Sequence, residues 1–252
     1  MASIYPTTRA ALLTQEVRIY AGPPFTNVEQ QNAQEFLNRL ITGSEMTEGS
    51  PVLKQMTQFT ELKVKVCNSC NHQFTIKSHG HMLQVPIVES EKNINRMLNH
   101  LLAQSTTPDL RCSNCGKESY REQIQIKNPS NFLILHLQLW GKGAKKQLVK
   151  NTNLQLNSLP STDLAVDGIR YRLHAVLFHH GETAKQGHYT AIVRSGKKTI
   201  LADDINVSSC RWPNGSAGVY MLFYINTGAK QSKVPQETGD LSSKLPLLKP
   251  RY

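Results

Sequence analysis

From Val28 to about Gly43 the apolar positions of this chain recur mostly at three and four, and from Phe59 onward they recur mainly at two. Val28, Ala33, Phe36, Leu37, Leu40 and Ile41 share one helical face, so a helix is expected after an Asn27 N-cap, with a stop at Gly43. Residues 1–26, interrupted by Gly22-Pro23-Pro24, show no period and read as irregular. FTELKVKV (Phe59–Val66) alternates and reads as a strand, and a second strand is expected after Cys70, broken by a turn at Ser78–Gly80. Ile94, Met97, Leu98, Leu101 and Leu102 return to helical spacing. SYREQIQI, FLILHLQLW, Tyr171–Phe178, Tyr189–Val193, Thr199–Ala202 and Val219–Ile225 then follow as strands, with FLILHLQLW apolar enough for a central position. Strands running on after a helix predict an α+β fold rather than a wound parallel sheet.

A length of 252 residues, 39% of them hydrophobic, is enough to bury a core. Phe132–Trp140, the longest apolar run, is far too short to span a bilayer, and MASIYPTTRA lacks the basic and apolar regions of a signal peptide. These features predict an intracellular protein, in cytoplasm or nucleus, without a membrane partner. The formal charge of +11 raises nucleic acid as a partner, but the basic residues are spread out. Their densest stretches, 141–150 and the tail after Lys230, carry no interleaved aromatics for base stacking, which argues against it. The tail after Asn226 is rich in Lys, Ser, Pro and Gly and is expected to be mobile.

Two patterns carry chemistry. Cys67 with Cys70, and Cys112 with Cys115, form two CxxC knuckles. In a reducing compartment such pairs read as metal ligands rather than disulfides, and four thiolates make a closed structural zinc shell with no open position for water. The alternative is four reduced, metal-free thiols. In the second pattern, His188 opens one strand and Asp203-Asp204 closes its expected hairpin partner, so imidazole and carboxylate can meet across the ladder. That is two thirds of a nucleophilic triad. Gly187 leaves room there for a substrate backbone. No cysteine precedes Cys67, and Cys210 sits in a loop beyond the acid pair, a poor candidate for the missing nucleophile.

The order and spacing of QQNAQEFL (Gln30–Leu37), the two knuckles, FLILHLQLW, YRLHAVLFHHG, QGHYTAIV, ADD and VYMLFY resemble the ubiquitin-specific protease family of cysteine deubiquitinases, over roughly Glu29 to Tyr224. The resemblance implies a papain-like hand of fingers, palm and thumb, with the zinc ribbon at the fingertips. It implies that His188 is the general base, Asp203 its orienting acid and Asp204 a polar neighbour. Gln30, Gln31, Asn32 and Glu35, with Gly187 and Tyr189, are implied to line the path of ubiquitin's C-terminal tail. Asn32 stands where the family has aspartate, so weaker tail binding is expected. The family's nucleophile lies in a Gly-Asn-rich box upstream of the QQ helix, and no such box is present here.

Four regions are therefore expected: a thumb remnant with the QQ helix (1–58), fingers (59–130), a palm with the His/Asp site (131–226) and a basic tail (227–252). A monomer that binds ubiquitin or its conjugates is expected. Three readings stand: a deubiquitinase domain left inactive or partial for want of its cysteine, a non-catalytic ubiquitin-binding pseudoprotease, and a zinc-ribbon nucleic-acid binder.

Overall fold

The computed structural model describes residues 15–27, 31–44, 47–87, 91–103, 105–142, 148–150, 163–181, 187–213, 215 and 217–228. Two sheets dominate. One has four strands, β1 (Phe59–Cys67), β2 (Gln73–Gly80), β4 (Ser105–Arg111) and β5 (Glu118–Lys127), in the order β2-β1-β5-β4. The other has eight. It comprises β3 (Leu83–Pro86), β6 (Phe132–Gln138), β9 (Leu164–Val166), β10 (Ile169–His180), β11 (His188–Ser195), β12 (Lys198–Asp203), β13 (Asn206–Ser209) and β14 (Val219–Asn226). Its path is β13-β12-β11-β10-β14-β6-β3, with β9 added against β10. A small ribbon pairs β7 (Trp140–Lys142) with β8 (Leu148–Lys150). Mixed helix and sheet bear out the α+β expectation, and β6 lies between β14 and β3, away from an edge.

The core follows from the alternation of these strands. Leu133, Leu135 and Leu137 of β6, Tyr171, Leu173 and Val176 of β10, and Tyr220, Leu222 and Tyr224 of β14 are all buried. At about 25 cal/mol per Å2 of apolar surface removed from water, each such side chain contributes about 1.5–3 kcal/mol. Residues 15–21 form a helix, α1, where the sequence predicts irregular chain. Two further helices bury apolar residues in the same core. In α2 (Ala33–Thr42) Ile41 is buried, and in α4 (Ile94–Leu102) Ile94, Met97 and Leu98 are. Asn93 caps α4 by accepting from the Asn95 and Arg96 amides.

Other expectations change as well. The N-cap of the QQ helix is Asn32, not Asn27, because the Asn32 side-chain oxygen accepts from the Gln34 and Glu35 amides; Val28–Gln30 lie outside the described residues. An unanticipated helix, α3 (Pro51–Thr57), starts where Ser50 caps it and Pro51 takes a first-turn position that needs no amide donor. β2 runs unbroken through Ser78–Gly80, paired residue by residue with β1. Within 83–102 the chain leaves the four-stranded sheet, and β3 joins the eight-stranded one by parallel pairing with β6.

Candidate active site and metal centre

The β11–β12 hairpin sets Thr190 opposite Asp203, so His188, two residues before Thr190, shares its face of the sheet and lies diagonally from the acid. Across that diagonal His188 Nε2 meets Asp203 Oδ1 at 2.5 Å. With Nε2–H donating to the carboxylate, Nδ1 carries the lone pair and is the nitrogen left to accept a proton. Asp204 stands off, with its Oδ2 4.0 Å from Nδ1, at a left-handed turn position (φ 49°). His188 and Asp203 side chains are 44% and 43% exposed and Asp204 75%, so the pair is open to a ligand. His180 lies opposite His188 in the ladder and bonds Thr190 Oγ1 at 2.8 Å. Burial, followed by the nearby His188, pushes the His180 imidazole below its ordinary range.

The other face of the same strands is aromatic and buried. His179, 2% exposed, lies against Trp140, Tyr189 and Tyr220, with ring centroids 5.2, 4.9 and 6.1 Å away. A Cβ on Gly187 would sit 2.6 Å from His179 Cε1 and 2.7 Å from the His180 carbonyl oxygen. The glycine before His188 thus has a packing reason inside the protein, in addition to the substrate clearance expected from sequence. Tyr220 donates to Asn32 Oδ1 at 3.1 Å, and the Ala33 amide bonds Tyr189, which joins the N-terminus of α2 to β14 and β11. Asn32 is therefore occupied as a cap and a cross-tie. Gln31 is half-buried beside it, Glu35 is exposed, and Gln30 lies outside the described residues. Sequence reasoning did not find His179, Trp140 or Tyr220, whose placement depends on contacts between distant strands.

Cys210 does not approach this site. Its amide bonds the Thr199 carbonyl, four residues along β12 from Asp203, about 13 Å at strand rise.

The four knuckle cysteines converge at the far end of β1 and β5. Cys67 and Cys115 Sγ atoms are 3.7 Å apart, as are those of Cys70 and Cys112, and all four lie within 4.8 Å of one another. They could hold a metal ion. Left-handed turns at Asn71 (φ 57°) and Gly116 (φ 73°) close the two knuckles. The Tyr120 hydroxyl, bonded to Cys112, is the main cause drawing that thiol down to about 6. His72, His79 and His81 are not needed as ligands.

A family model described as ubiquitin carboxyl-terminal hydrolase matches residues 6–224. Ubiquitin carboxyl-terminal hydrolase 44-B of Xenopus laevis is 26% identical over 279 residues, covering 89% of this chain and 39% of that protein. Ubiquitin carboxyl-terminal hydrolase 24 of Arabidopsis thaliana is 30% identical over 148 residues, covering 53% and 26%. The chain thus spans well under half the length of these curated relatives. The solved SAGA DUB module of Ubp8, Sgf11, Sus1 and Sgf73 bound to monoubiquitin matches with a TM-score of 0.72 at 18% identity, covering 88% of this chain and 54% of that one. The module bound to ubiquitin aldehyde matches at 0.67 and 19%, covering 83% and 52%.

Proposed function

Because this chain belongs to the ubiquitin carboxyl-terminal hydrolase family and is a ubiquitin-specific protease domain, we propose that it engages ubiquitin and carries the base and acid of a cysteine deubiquitinase, His188 and Asp203. The observation that carries this reading is the 2.5 Å bond from His188 Nε2 to Asp203, which leaves Nδ1 as the basic nitrogen. Asp203 holds the tautomer and favours the imidazolium that forms when a thiol gives up its proton. Asp204 is a polar neighbour. Gln31 and Glu35 at the start of α2, with Gly187 and Tyr189 at the start of β11, border the path of ubiquitin's C-terminal tail, and Gln30 belongs to the same set.

Zinc is the metal we assign to the four cysteines. Sulfurs 2.3 Å from a tetrahedral ion stand about 3.8 Å apart, and the two sulfur pairs here are at 3.7 Å. It is a structural ion that ties the fingertip together, and its thiolates suit a reducing compartment such as cytoplasm or nucleus. No helix among the described residues is long and apolar enough to cross a membrane. We take the eight-stranded sheet as palm, the four-stranded sheet as fingers, and a monomer as the working unit.

Within these 252 residues no thiol reaches His188: four cysteines form the cluster and the fifth lies about 13 Å along the ladder from Asp203, and farther still from His188. We therefore infer that this chain binds ubiquitin without cleaving its C-terminal bond, and that cleavage requires a cysteine from outside it. The test treats the purified chain with ubiquitin bearing a C-terminal thiol-reactive group, beside a titration with unmodified ubiquitin. Binding without a covalent adduct is expected. An adduct on Cys210 contradicts the inference about cleavage, and no binding contradicts the assignment as a whole.

A further inference from the structure

We propose that Lys150 is a positioning residue for His188: its ammonium clamps the end of β10 and, through His179, fixes the Gly187–His188 backbone. This rests on the reading of His188 as the general base. Lys150 Nζ donates to the His179 carbonyl at 3.0 Å, to the Gly181 carbonyl at 2.6 Å and to His179 Nδ1 at 3.2 Å. Three acceptors use all three donors of an ammonium. Among the described residues no carboxylate pairs with this lysine, and the three acceptors that meet its charge are two carbonyls and one imidazole nitrogen.

The clamp reaches the base by contact. Accepting at Nδ1 requires a neutral His179 with its proton on Nε2, and burial, then the Lys150 charge, hold that imidazole below its ordinary range. The His179 amide is also fixed, donating to the Gly218 carbonyl at 2.7 Å. With its backbone tied on both sides and its ring bonded at Nδ1, His179 presents its Nε2–Cε1 edge to Gly187, whose neighbour is His188. His180, next in the chain after His179, is the ladder partner of His188. One cation thus fixes both the strand opposite the base and the surface under it. Lys150 touches no reacting atom in this arrangement; it acts only through His179 and the turn.

The experiment uses the whole chain and nuclear magnetic resonance. In the wild-type protein the Lys150 Nζ protons are expected to exchange with water at least tenfold more slowly than those of exposed lysines. Exchange at the surface rate overturns the clamp without any variant. In Lys150→Met, amides of residues 179–181 and 187–190 are expected to exchange about tenfold faster or more, the factor that losing one hydrogen bond to a charged group represents. The His188 signature of a protonated Nε2 should weaken, and amides of β1 and β5 should be unchanged. Lys150→Arg, which keeps charge and donors, is expected to restore most of this protection. Uniform acceleration in both sheets, or an unaltered His188 signature, overturns the proposal. Ubiquitin titration of the same samples separates the two readings, since slow Nζ exchange without ubiquitin binding retains the clamp and removes the deubiquitinase reading.

Discussion

Gly187→Ala tests whether His188 is held by packing from beneath. The new methyl would lie 2.6 Å from His179 Cε1 and 2.7 Å from the His180 carbonyl oxygen, where non-bonded carbon contacts are comfortable at about 3.5–4.0 Å. About 1 Å must therefore be found. The ring cannot yield it cheaply, because Lys150 holds His179 Nδ1 and Trp140, Tyr189 and Tyr220 surround it. Nor can the carbonyl, which belongs to the rung that pairs His180 with His188. The backbone at 187–188 is the part that gives way, and the 2.5 Å bond to Asp203 moves with it. Overpacking of this kind costs about 1–3 kcal/mol. For a domain of this size each kcal/mol lowers the Tm by about 2–4 °C, so a fall of about 2–12 °C is expected. The decisive readout is the His188 Nε2 proton, which should lose its protection from solvent together with ubiquitin affinity. An alanine variant with wild-type Tm and an intact His188 signature refutes the reasoning.

Other outcomes are expected. Metal analysis should find one zinc per chain, lost in Cys112→Ser, with a stability loss of several kcal/mol because binding energy of a structural zinc is folding energy; equal unfolding midpoints with and without chelator would contradict this. Tyr220→Phe should cost about 1 kcal/mol through its bond to Asn32, and a double-mutant cycle with Asn32→Ala should show coupling of similar size. Asn32→Asp keeps the cap and adds a carboxylate at the positive end of α2, so helix stability should rise by a few tenths of a kcal/mol and ubiquitin titration should show tighter binding. His136 is lowered by burial from 6.5 to about 4. Below 6.5 the unfolded chain takes up the proton first, so stability present at neutral pH is lost as pH falls toward 4, by at most about 3 kcal/mol. Urea midpoints at pH 7 and 4.5 should show this loss, and His136→Phe should flatten it.

The base and acid were legible because both lie on alternating strands joined by a short turn, so strand period alone brings His188 toward Asp203. The cysteine knuckles were legible from spacing. Asn27 and Asn32 offered equal capping chemistry to a local reading. The choice is made by the two amides of the first turn and by Tyr220, which is 188 residues away in sequence. Ser50-Pro51 did carry a start signal, but α3 is only seven residues long and its apolar period is too brief to stand out. β9 and β13 have three and four residues, and they exist because neighbours offer them a ladder. Nothing local marks His179 as a hub, since its partners come from β7, β8, β11 and β14.

The route of the chain through the two sheets has a consequence for assembly. β1 and β2 build half of the four-stranded sheet, β3 and α4 return to the eight-stranded one, and β4 and β5 go out again before β6 comes back. Each excursion brings one knuckle, so the ion bridges two stretches of chain that synthesis delivers at different times. Pairing β5 to β1 closes a loop about sixty residues long, a slow step by contact order. The cluster needs both excursions, so the ion and the β1–β5 pairing close the same loop. It fastens together two segments that lie more than forty residues apart in sequence. Deleting either excursion, by truncation or alternative splicing, therefore removes two of the four sulfurs, and a contiguous fragment that keeps the whole fingertip must span about 59–127.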